Sequence, residues 1–350
     1  MWHIDDVIKT NNIETTLKAW LTTPEFTQRF RRLIDAPKEQ KFLSEMVGSP
    51  IVVSSNCQTF GLASALQALL PDEIVLPFPI VKNWTIEEQE TLARLLSKAS
   101  AWLTIDIDHT IELIDKQYWQ QTFLERHSLH ISNPSLQIKI VPAIIFSGFH
   151  PDMCYARNEA SGKLTSTTYN SAIAVWAYQH GLAVDKAAKL FNARTFEQLG
   201  YFERWNLSIK NLERRFENTA LDFAAFYRHI KRQGVFMYSF NHPTVDTLLW
   251  IAKAVARNMG AKSGVLDAAF YLPDVMRSTV WPIYPELADY LSLEGGSYVW
   301  KIEGDYFYGL EAYIAHSFES YGRQNISPEN IRHHDMDISL LDHVLLPQLH

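Results

Sequence analysis

From residue 50 onward, short apolar runs alternate with amphipathic stretches. Five of the runs are rich in β-branched or aromatic residues and predict buried strands, at residues 51–54, 73–76, 101–105, 139–146 and 235–240. Helical patterns follow three of them, at residues 60–70, 85–98 and 243–259. Strands that alternate with helices favour a parallel sheet, because each crossover lays a helix against one of its faces. We therefore predict an α/β fold in which a mainly parallel sheet of about five strands is covered by helices.

Helical segments are predicted outside this alternation as well. Residues 1–47 predict an N-terminal helical arm, in which Thr23 is a candidate N-cap and Pro24 occupies the first helical position. A helical region at about 169–232 is too long for a crossover helix and predicts an insertion in the α/β core, which spans 48–260. Residues 261–350 are rich in aromatic residues and broken by prolines, and predict an extension that wraps over the core. An SGNH-hydrolase-like fold is one architecture that fits the core.

Composition restricts the location and the partners of the chain. With 350 residues, of which 47% are hydrophobic, it can bury a large core. Its net charge of -7 offers no basic surface for nucleic acid or an anionic membrane. The N-terminus lacks signal-peptide features, and the longest apolar stretch, 138–149, is too short to cross a bilayer. We expect a cytoplasmic protein with no transmembrane segment, which could reach the inner membrane through partners; its two cysteines make no disulfide framework.

Three reactive side chains follow predicted strands. Cys57 comes after the first strand, His150 after the fourth and His242 after the fifth, and both histidines lie in the pattern S-x-x-H-P. In an open parallel sheet, ligands bind at the carboxyl ends of the strands, so these residues could meet there. A helix predicted to begin near Thr59 would lower the pKa of the Cys57 thiol through its dipole and its free N–H groups.

Neighbouring residues suggest supporting roles. The amides of Asn56 and Gln58 could stabilise an oxyanion during acyl transfer. Because His242 precedes Pro243, a suitable first residue of a helix, we expect an extended, neutral histidine that can act as a general base. Asp152 could orient an imidazole. Each residue also has a structural interpretation: a lone cysteine is often a small buried hydrophobe, and a histidine before proline can cap a helix.

A second motif favours another enzyme class. Asp106-Ile107-Asp108-His109 follows the third predicted strand and resembles the DxD motif with which many glycosyltransferases bind a metal and a sugar nucleotide. A solvated loop that contains Asp106 and Asp108 explains the pattern better than a metal site does, so we expect no metal. A non-catalytic sugar- or nucleotide-binding component is a third interpretation.

Three ordered motifs resemble those of the WcbI family of capsular-polysaccharide biosynthesis enzymes. They are V-x-S-N-C-Q-x-x-G-L-A-x-A-L-x-x-L-L-P from Val53 to Pro71, P-A-I-I-F-S-G-F-H-P-D-M-x-Y from Pro142 to Tyr155, and F-N-H-P-T-x-x-x-L from Phe240 to Leu248. The resemblance covers about residues 50–260. It implies a coenzyme A-dependent acyltransferase that moves an acetyl group from acetyl-CoA to a sugar hydroxyl in capsular or surface polysaccharide biosynthesis. It also implies a saccharide acceptor and other capsule-biosynthesis proteins as partners. Under the resemblance, the non-catalytic alternative becomes a sugar- or nucleotide-binding component of a capsule assembly complex.

The resemblance carries particular residues into the predicted site. Cys57, His150 and His242 would be catalytic with Gln58, and Asn241 in the third motif would orient them. Two routes remain open: a histidine deprotonates the sugar hydroxyl for direct attack on the thioester, or Cys57 takes the acetyl group first. Arg157 and Lys163 follow the second motif and are candidate ligands of the coenzyme A phosphates by position.

Overall fold

The computed structural model describes most of the chain. The described stretches are 48–79, 86–105, 119–158, 164, 169–260, 269, 272–302, 306–323, 331–334 and 337–349. The predicted arm at 1–47, the motif Asp106-Ile107-Asp108-His109 and Lys163 therefore lie outside the described residues.

The elements follow one another in a mixed order. The strands are β1 (Ile51–Ser54), β2 (Val75–Pro77), β3 (Ala101–Ile105), β4 (Gln137–Val141), β5 (Met153–Asn158), β6 (Tyr169–Ser171), β7 (Met237–Ser239), β8 (His242–Pro243), β9 (Trp300–Ile302), β10 (Tyr306–Tyr308) and β11 (Ile331–His334). The helices are α1 (Thr59–Leu69), α2 (Ile86–Leu96), α3 (Trp119–Arg126), α4 (Leu129–Ser132), α5 (Ala172–Gln179), α6 (Val184–Ala188), α7 (Ala193–Gln198), α8 (Arg204–Arg214), α9 (Phe223–Gln233), α10 (Val245–Asn258), α11 (Pro285–Tyr290), α12 (Leu310–Arg323) and α13 (Ile338–Leu345), with a 3-10 turn at Leu346–Leu349.

The chain forms two compact units. Of the described residues, unit 1 takes those within Met1–Ile144, Glu213–Arg232 and Thr244–Met276, and unit 2 takes those within Ile145–Leu212, Gln233–Pro243 and Arg277–His350. The predicted boundary at residue 260 falls inside unit 1, and the predicted insertion at 169–232 contributes to both units. The three-part domain division stays a prediction.

Unit 1 contains a four-stranded parallel sheet in the order β2-β1-β3-β4. Every residue of β1 and β3 is buried, as expected for central strands of a parallel sheet that is covered on both faces. At the edge, β4 exposes Gln137 and Ile138. The predicted α/β class is confirmed, whereas the SGNH-hydrolase-like form stays a prediction.

Helix α1 is buried over most of its surface in unit 1. Gly61 gives it a close approach to α10, since a Cβ at this position would collide with Leu248 Cδ1. Near its other end, the buried Gln67 amide donates to Leu70 O at 3.0 Å and Glu73 O at 2.8 Å, and its carbonyl accepts from Val75 N at 3.1 Å. A polar side chain is stable there because it satisfies backbone groups that lead into β2.

Unit 2 combines small antiparallel sheets with an aromatic core. Its sheets are β11-β5-β6, β7-β8 and β9-β10. The core gathers around α5, and it includes large side chains from the C-terminal third of the chain: Trp281, Tyr284, Trp300 and Tyr313. Trp300 and Tyr313 stack with ring centroids 4.2 Å apart and planes 5° from parallel. Burial of these rings supplies much of the apolar surface that stabilises unit 2.

Two of the predicted strands are corrected by the structure. The fourth ends at Val141 and not at residue 146, since Pro142 has no N–H to continue the ladder. The fifth is shortened to β7, which pairs antiparallel with β8 in unit 2 and does not join the parallel sheet. The parallel sheet therefore has four strands among the described residues. The predicted helical region also opens with a strand, β6.

No helix in the described part of the chain is long and apolar enough to span a membrane.

Candidate functional site

The β1–α1 corner presents Cys57 on a tight, hydrogen-bonded turn. The Ser55 amide donates to Thr59 Oγ1 at 2.9 Å, and the Thr59 hydroxyl lies 2.6 Å from Ser55 O. Asn56 Oδ1 accepts from the Gln58 amide at 3.0 Å. These bonds hold the chain between strand and helix while the Cys57 side chain is exposed. Asn56 thus uses its side-chain oxygen within the turn.

The Cys57 thiol is protonated at neutral pH. Both cysteines are reduced, and Cys57 is the exposed one. The surrounding protein displaces water from the thiol and raises its pKa to about 12, although the Cys57 backbone N–H lowers it to a lesser extent. The backbone N–H acts in the direction predicted for the helix terminus, but the loss of hydration is the larger effect, so the net shift of the pKa is upward. The residue is exposed, but a protonated thiol is a weak nucleophile.

Gln58 ties the corner to the segment that follows β4. Its side-chain amide donates to Ile144 O at 2.7 Å, and its side-chain carbonyl accepts from Ile144 N at 3.0 Å. Both residues are buried, so the Gln58 side chain satisfies the N–H and the C=O of Ile144 as a neighbouring β-strand would. These two hydrogen bonds give Gln58 a structural role. Its part in oxyanion stabilisation stays a prediction.

His150 is a buried, neutral histidine in unit 2. It lies nine residues beyond the end of β4, in a turn where its amide donates to Ser147 O at 3.0 Å. Its Nε2 lies 3.0 Å from Trp281 O, and because a carbonyl can only accept, Nε2 carries the ring hydrogen. Nδ1 then has the lone pair and no hydrogen-bond partner among the described residues. Burial lowers the pKa of His150 to about 3.

Gly148 makes the turn before His150 possible. A Cβ at this position would lie 2.5 Å from the Phe146 ring and 3.0 Å from Trp205 Cα. Phe146 is fully buried among other aromatic rings and has no room to move. The glycine therefore lets the turn approach this aromatic cluster.

Asp152 anchors the start of α5 and makes no bond to His150 among the described residues. Its Oδ1 accepts from Tyr201 Oη at 2.9 Å and from the Ile173 amide at 3.0 Å, and its Oδ2 accepts from Tyr284 Oη at 2.7 Å. The side chain is completely buried, which raises its pKa to about 6, while these donors oppose the rise. The predicted orienting role for Asp152 is therefore corrected: the carboxylate connects α5 to two tyrosines.

His242 belongs to a cluster of polar side chains in unit 2. Pro243 lies in β8, and α10 begins at Val245 with Thr244 as its N-cap, so the prediction of Pro243 as the first helical residue is wrong. His242 is half-buried, and its Nε2 lies 3.2 Å from the Tyr169 hydroxyl. Tyr169 also donates to Asn241 Oδ1 at 2.9 Å, and Asn241 Nδ2 donates to Tyr155 Oη at 3.3 Å.

Sequence reasoning missed the two tyrosines of this cluster. Tyr155 is the last residue of the second motif, and its place in the motif could have identified it as a site residue. Tyr169 lies in a stretch predicted to be helical and carried no such signal. Within unit 2 the structure brings Tyr155, Tyr169, Asn241 and His242 together. Within unit 1 it brings Asn56, Cys57 and Gln58 together. The catalytic roles of all these residues stay predictions.

The candidate cofactor ligands are only partly described. Arg157 is exposed on β5, two residues beyond Tyr155, and is in register with Arg332 of β11. Lys163, Asp106 and Asp108 lie outside the described residues. In the part of the chain that the structure describes, no group of three or more His, Cys, Asp or Glu residues is arranged to hold a metal ion.

Comparison with known proteins supports the motif-based resemblance. A sequence profile of the family described as "Polysaccharide biosynthesis enzyme WcbI" matches residues 50–264, and it confirms the resemblance that the three motifs indicated. No curated protein matches the chain. A solved structure of WcbI, described as a novel polysaccharide biosynthesis enzyme, aligns with a TM-score of 0.61 at 16% identity. The alignment covers 86% of this chain and 96% of that one. That structure is described as native protein without a disulfide bond between coenzyme A and one of its cysteines.

Proposed function

Because the chain belongs to the WcbI family of polysaccharide biosynthesis enzymes, we propose that it transfers an acetyl group from coenzyme A to a hydroxyl of a saccharide. Because the family acts in polysaccharide biosynthesis, a saccharide is the acceptor that we expect. The description of the solved WcbI, which names coenzyme A and a cysteine together, supports coenzyme A as the acyl carrier.

The exposure of Cys57 is the observation that carries the proposal. A disulfide with coenzyme A requires a cysteine whose sulfur a ligand can reach. Cys154 is only 3% exposed and packs in a core cluster, whereas Cys57 is exposed at the β1–α1 corner. Cys57 is thus the cysteine suited to lie beside the thiol end of coenzyme A.

Direct transfer fits the charge states better than a cysteine relay. With a thiol pKa of about 12, Cys57 is a poor nucleophile at neutral pH. In the direct route, the saccharide hydroxyl oxygen bonds to the thioester carbonyl carbon while a histidine takes its proton. The tetrahedral intermediate then expels coenzyme A as a thiolate, which recovers that proton. The products are the acetylated saccharide and free coenzyme A.

His242 is the better candidate for the base. His150 is only 1% exposed and its Nε2 is bonded to Trp281 O, so a substrate would have to enter a closed core to reach it. As a whole residue His242 is half-buried and lies in a cluster of polar side chains, although its Nδ1 is buried. We assign His150 to holding the turn and His242 to proton transfer.

Ligand binding gives the first test. Millimolar coenzyme A should raise the melting temperature, because a ligand at about 100 times its Kd stabilises the folded state by roughly 2.7 kcal/mol. Arg157→Gln should weaken the effect of coenzyme A but not that of pantetheine, which lacks the phosphates. Arg194→Gln, at an exposed position on α7, is the matched control. No shift with coenzyme A would reject the proposal.

Turnover gives the second test. Release of coenzyme A from acetyl-CoA should depend on a saccharide acceptor and should be lost in His242→Ala. His130→Ala, at an exposed position on α4, should leave it unchanged. Cys57→Ala should slow the reaction without abolishing it, and complete loss in that variant would favour the cysteine relay. Binding without turnover would instead indicate a non-catalytic component.

A further inference from the structure

We propose that Tyr169 and Asn241 are positioning residues that determine which ring nitrogen of His242 gains and loses a proton. The inference rests on the proposed function in one respect, since it assigns that nitrogen to the general base. Its geometric part concerns this chain alone.

The hydrogen bonds of Asn241 determine which hydroxyl and amide groups of the cluster donate and which accept. Its Oδ1 accepts from the Tyr169 hydroxyl at 2.9 Å and from the Ser239 hydroxyl at 3.2 Å. Its Nδ2 donates to Tyr155 Oη at 3.3 Å. A tyrosine hydroxyl has one hydrogen, and in this arrangement Tyr169 gives it to Asn241.

The direction of that bond decides the state of His242. Nε2 of His242 lies 3.2 Å from the Tyr169 oxygen, which has already donated its hydrogen and can only accept. Nε2 must then carry a hydrogen, whether the ring is neutral or positively charged. The proton that His242 exchanges is therefore on Nδ1. That atom is buried in the structure, so it would deprotonate a saccharide hydroxyl only after the bound substrate displaces the groups that cover it.

The surrounding sheets hold these groups in place. Tyr155 and Tyr169 are cross-strand partners of β5 and β6, and Asn241 lies in the turn between β7 and β8. The rings of Tyr169 and His242 meet edge to face, with centroids 5.7 Å apart and planes at 86°. Phe240 packs edge to face on both tyrosines. The imidazole is thus oriented by a ring contact and a hydrogen bond that both come from Tyr169 on β6.

The tautomer can be measured directly. In protein with ¹⁵N-labelled histidine, NMR should show His242 with hydrogen on Nε2 and a bare Nδ1 once the ring is neutral; His242→Gln identifies the signals. Asn241→Ala should reverse the tautomer, because Tyr169 can then donate to Nε2. Tyr169→Phe should abolish the preference. Tyr227→Phe, which removes a half-buried hydroxyl with no hydrogen bond to a described residue, should change nothing.

Two NMR outcomes overturn the inference. One is a hydrogen on Nδ1 of neutral His242 in the unmodified protein. The other is an unchanged tautomer in a folded Asn241→Ala variant. Either result stands whether or not the protein turns over acetyl-CoA, so it is separable from the proposed function.

The kcat of Tyr169→Phe and its pH profile test whether Tyr169 positions His242 for catalysis. Tyr169→Phe should lower kcat at least about tenfold. This loss is part of the roughly 10²- to 10⁴-fold rate acceleration that general-base catalysis contributes. Stabilisation by coenzyme A should be unchanged, and the pH profile of kcat should shift. A Tyr169→Phe variant with the kcat and pH profile of the unmodified protein would overturn the positioning role. Absence of turnover in the unmodified protein would reject the proposed function instead.

Discussion

Replacement of Gln58 by alanine should destabilise the protein far more than loss of an ordinary surface glutamine. The Gln58 side chain makes two buried hydrogen bonds to Ile144, of 2.7 Å and 3.0 Å. Alanine leaves the Ile144 N–H and C=O buried without these partners, and each unsatisfied group costs about 1–3 kcal/mol. The expected loss is about 2–6 kcal/mol of unfolding free energy.

Urea unfolding of matched variants measures this loss. Gln121→Ala on α3 is the control, because Gln121 makes one exposed bond of 3.0 Å to Glu125, and such a pair is worth about 0.2–0.5 kcal/mol. Gln67→Ala removes a second buried glutamine that binds backbone groups, so it should resemble Gln58→Ala. Gln58→Glu should also destabilise, because its carboxylate cannot donate to Ile144 O.

A small loss of unfolding free energy in Gln58→Ala would refute the structural role of its hydrogen bonds to Ile144. If Gln58→Ala lost less than about 0.5 kcal/mol, like the surface control, the Ile144 backbone would not depend on Gln58 for its hydrogen bonds. A stable Gln58→Ala variant with abolished acetyl transfer would return Gln58 to the oxyanion role predicted from the sequence.

Three further predictions concern the turn, the buried carboxylate and the thiol. Gly148→Ala should cost about 1–3 kcal/mol in urea unfolding, because its Cβ would press on the buried Phe146 ring; Gly309→Ala, which meets open space, should cost less, and equal costs would contradict the packing argument. Burial raises the pKa of Asp152 from 3.8 to about 6, so its stabilising contribution is complete below pH 3.8 and is lost as the pH rises through 6. The stability of the unmodified protein relative to Asp152→Asn should therefore fall by about 3 kcal/mol in total as the pH rises from well below 3.8 to well above 6, and a rise would refute the sign. The alkylation rate of Cys57 by iodoacetamide, corrected for Cys154 with Cys57→Ala, should increase about tenfold per pH unit from pH 7 to pH 10. A plateau below pH 9 would show a thiol pKa much lower than about 12.

Local patterns were sufficient for the parallel sheet. The strands at Ile51–Ser54 and Ala101–Ile105 match their predicted bounds, because a fully buried strand needs an uninterrupted apolar run that is visible in the sequence. Helix α1 begins and ends within one residue of its prediction for the same reason. The three motifs were likewise sufficient for the family, since an ordered set of short patterns is far more specific than any one of them.

Pairing between distant segments was beyond local patterns. Residues 235–240 carry the composition of a buried strand, but whether β7 joins the parallel sheet or pairs with β8 depends on contacts that no local pattern encodes. The same limit explains why Asp152 bonds to Tyr201 and Tyr284, which lie 49 and 132 residues away, and makes no bond to its near neighbour His150 among the described residues.

The sequence by itself determined the α/β class and the family, and it predicts which side chains are candidates for the reaction. Those properties depend on residue type and short spacing, which the chain carries whether or not it is folded. Only the tertiary structure decided the state of each group: a Cys57 thiol kept protonated by lost hydration, a Gln58 amide used on Ile144, and a His242 that lies beside Tyr169. Protonation and hydrogen bonding depend on which atoms displace water around a group, and folding alone arranges those atoms.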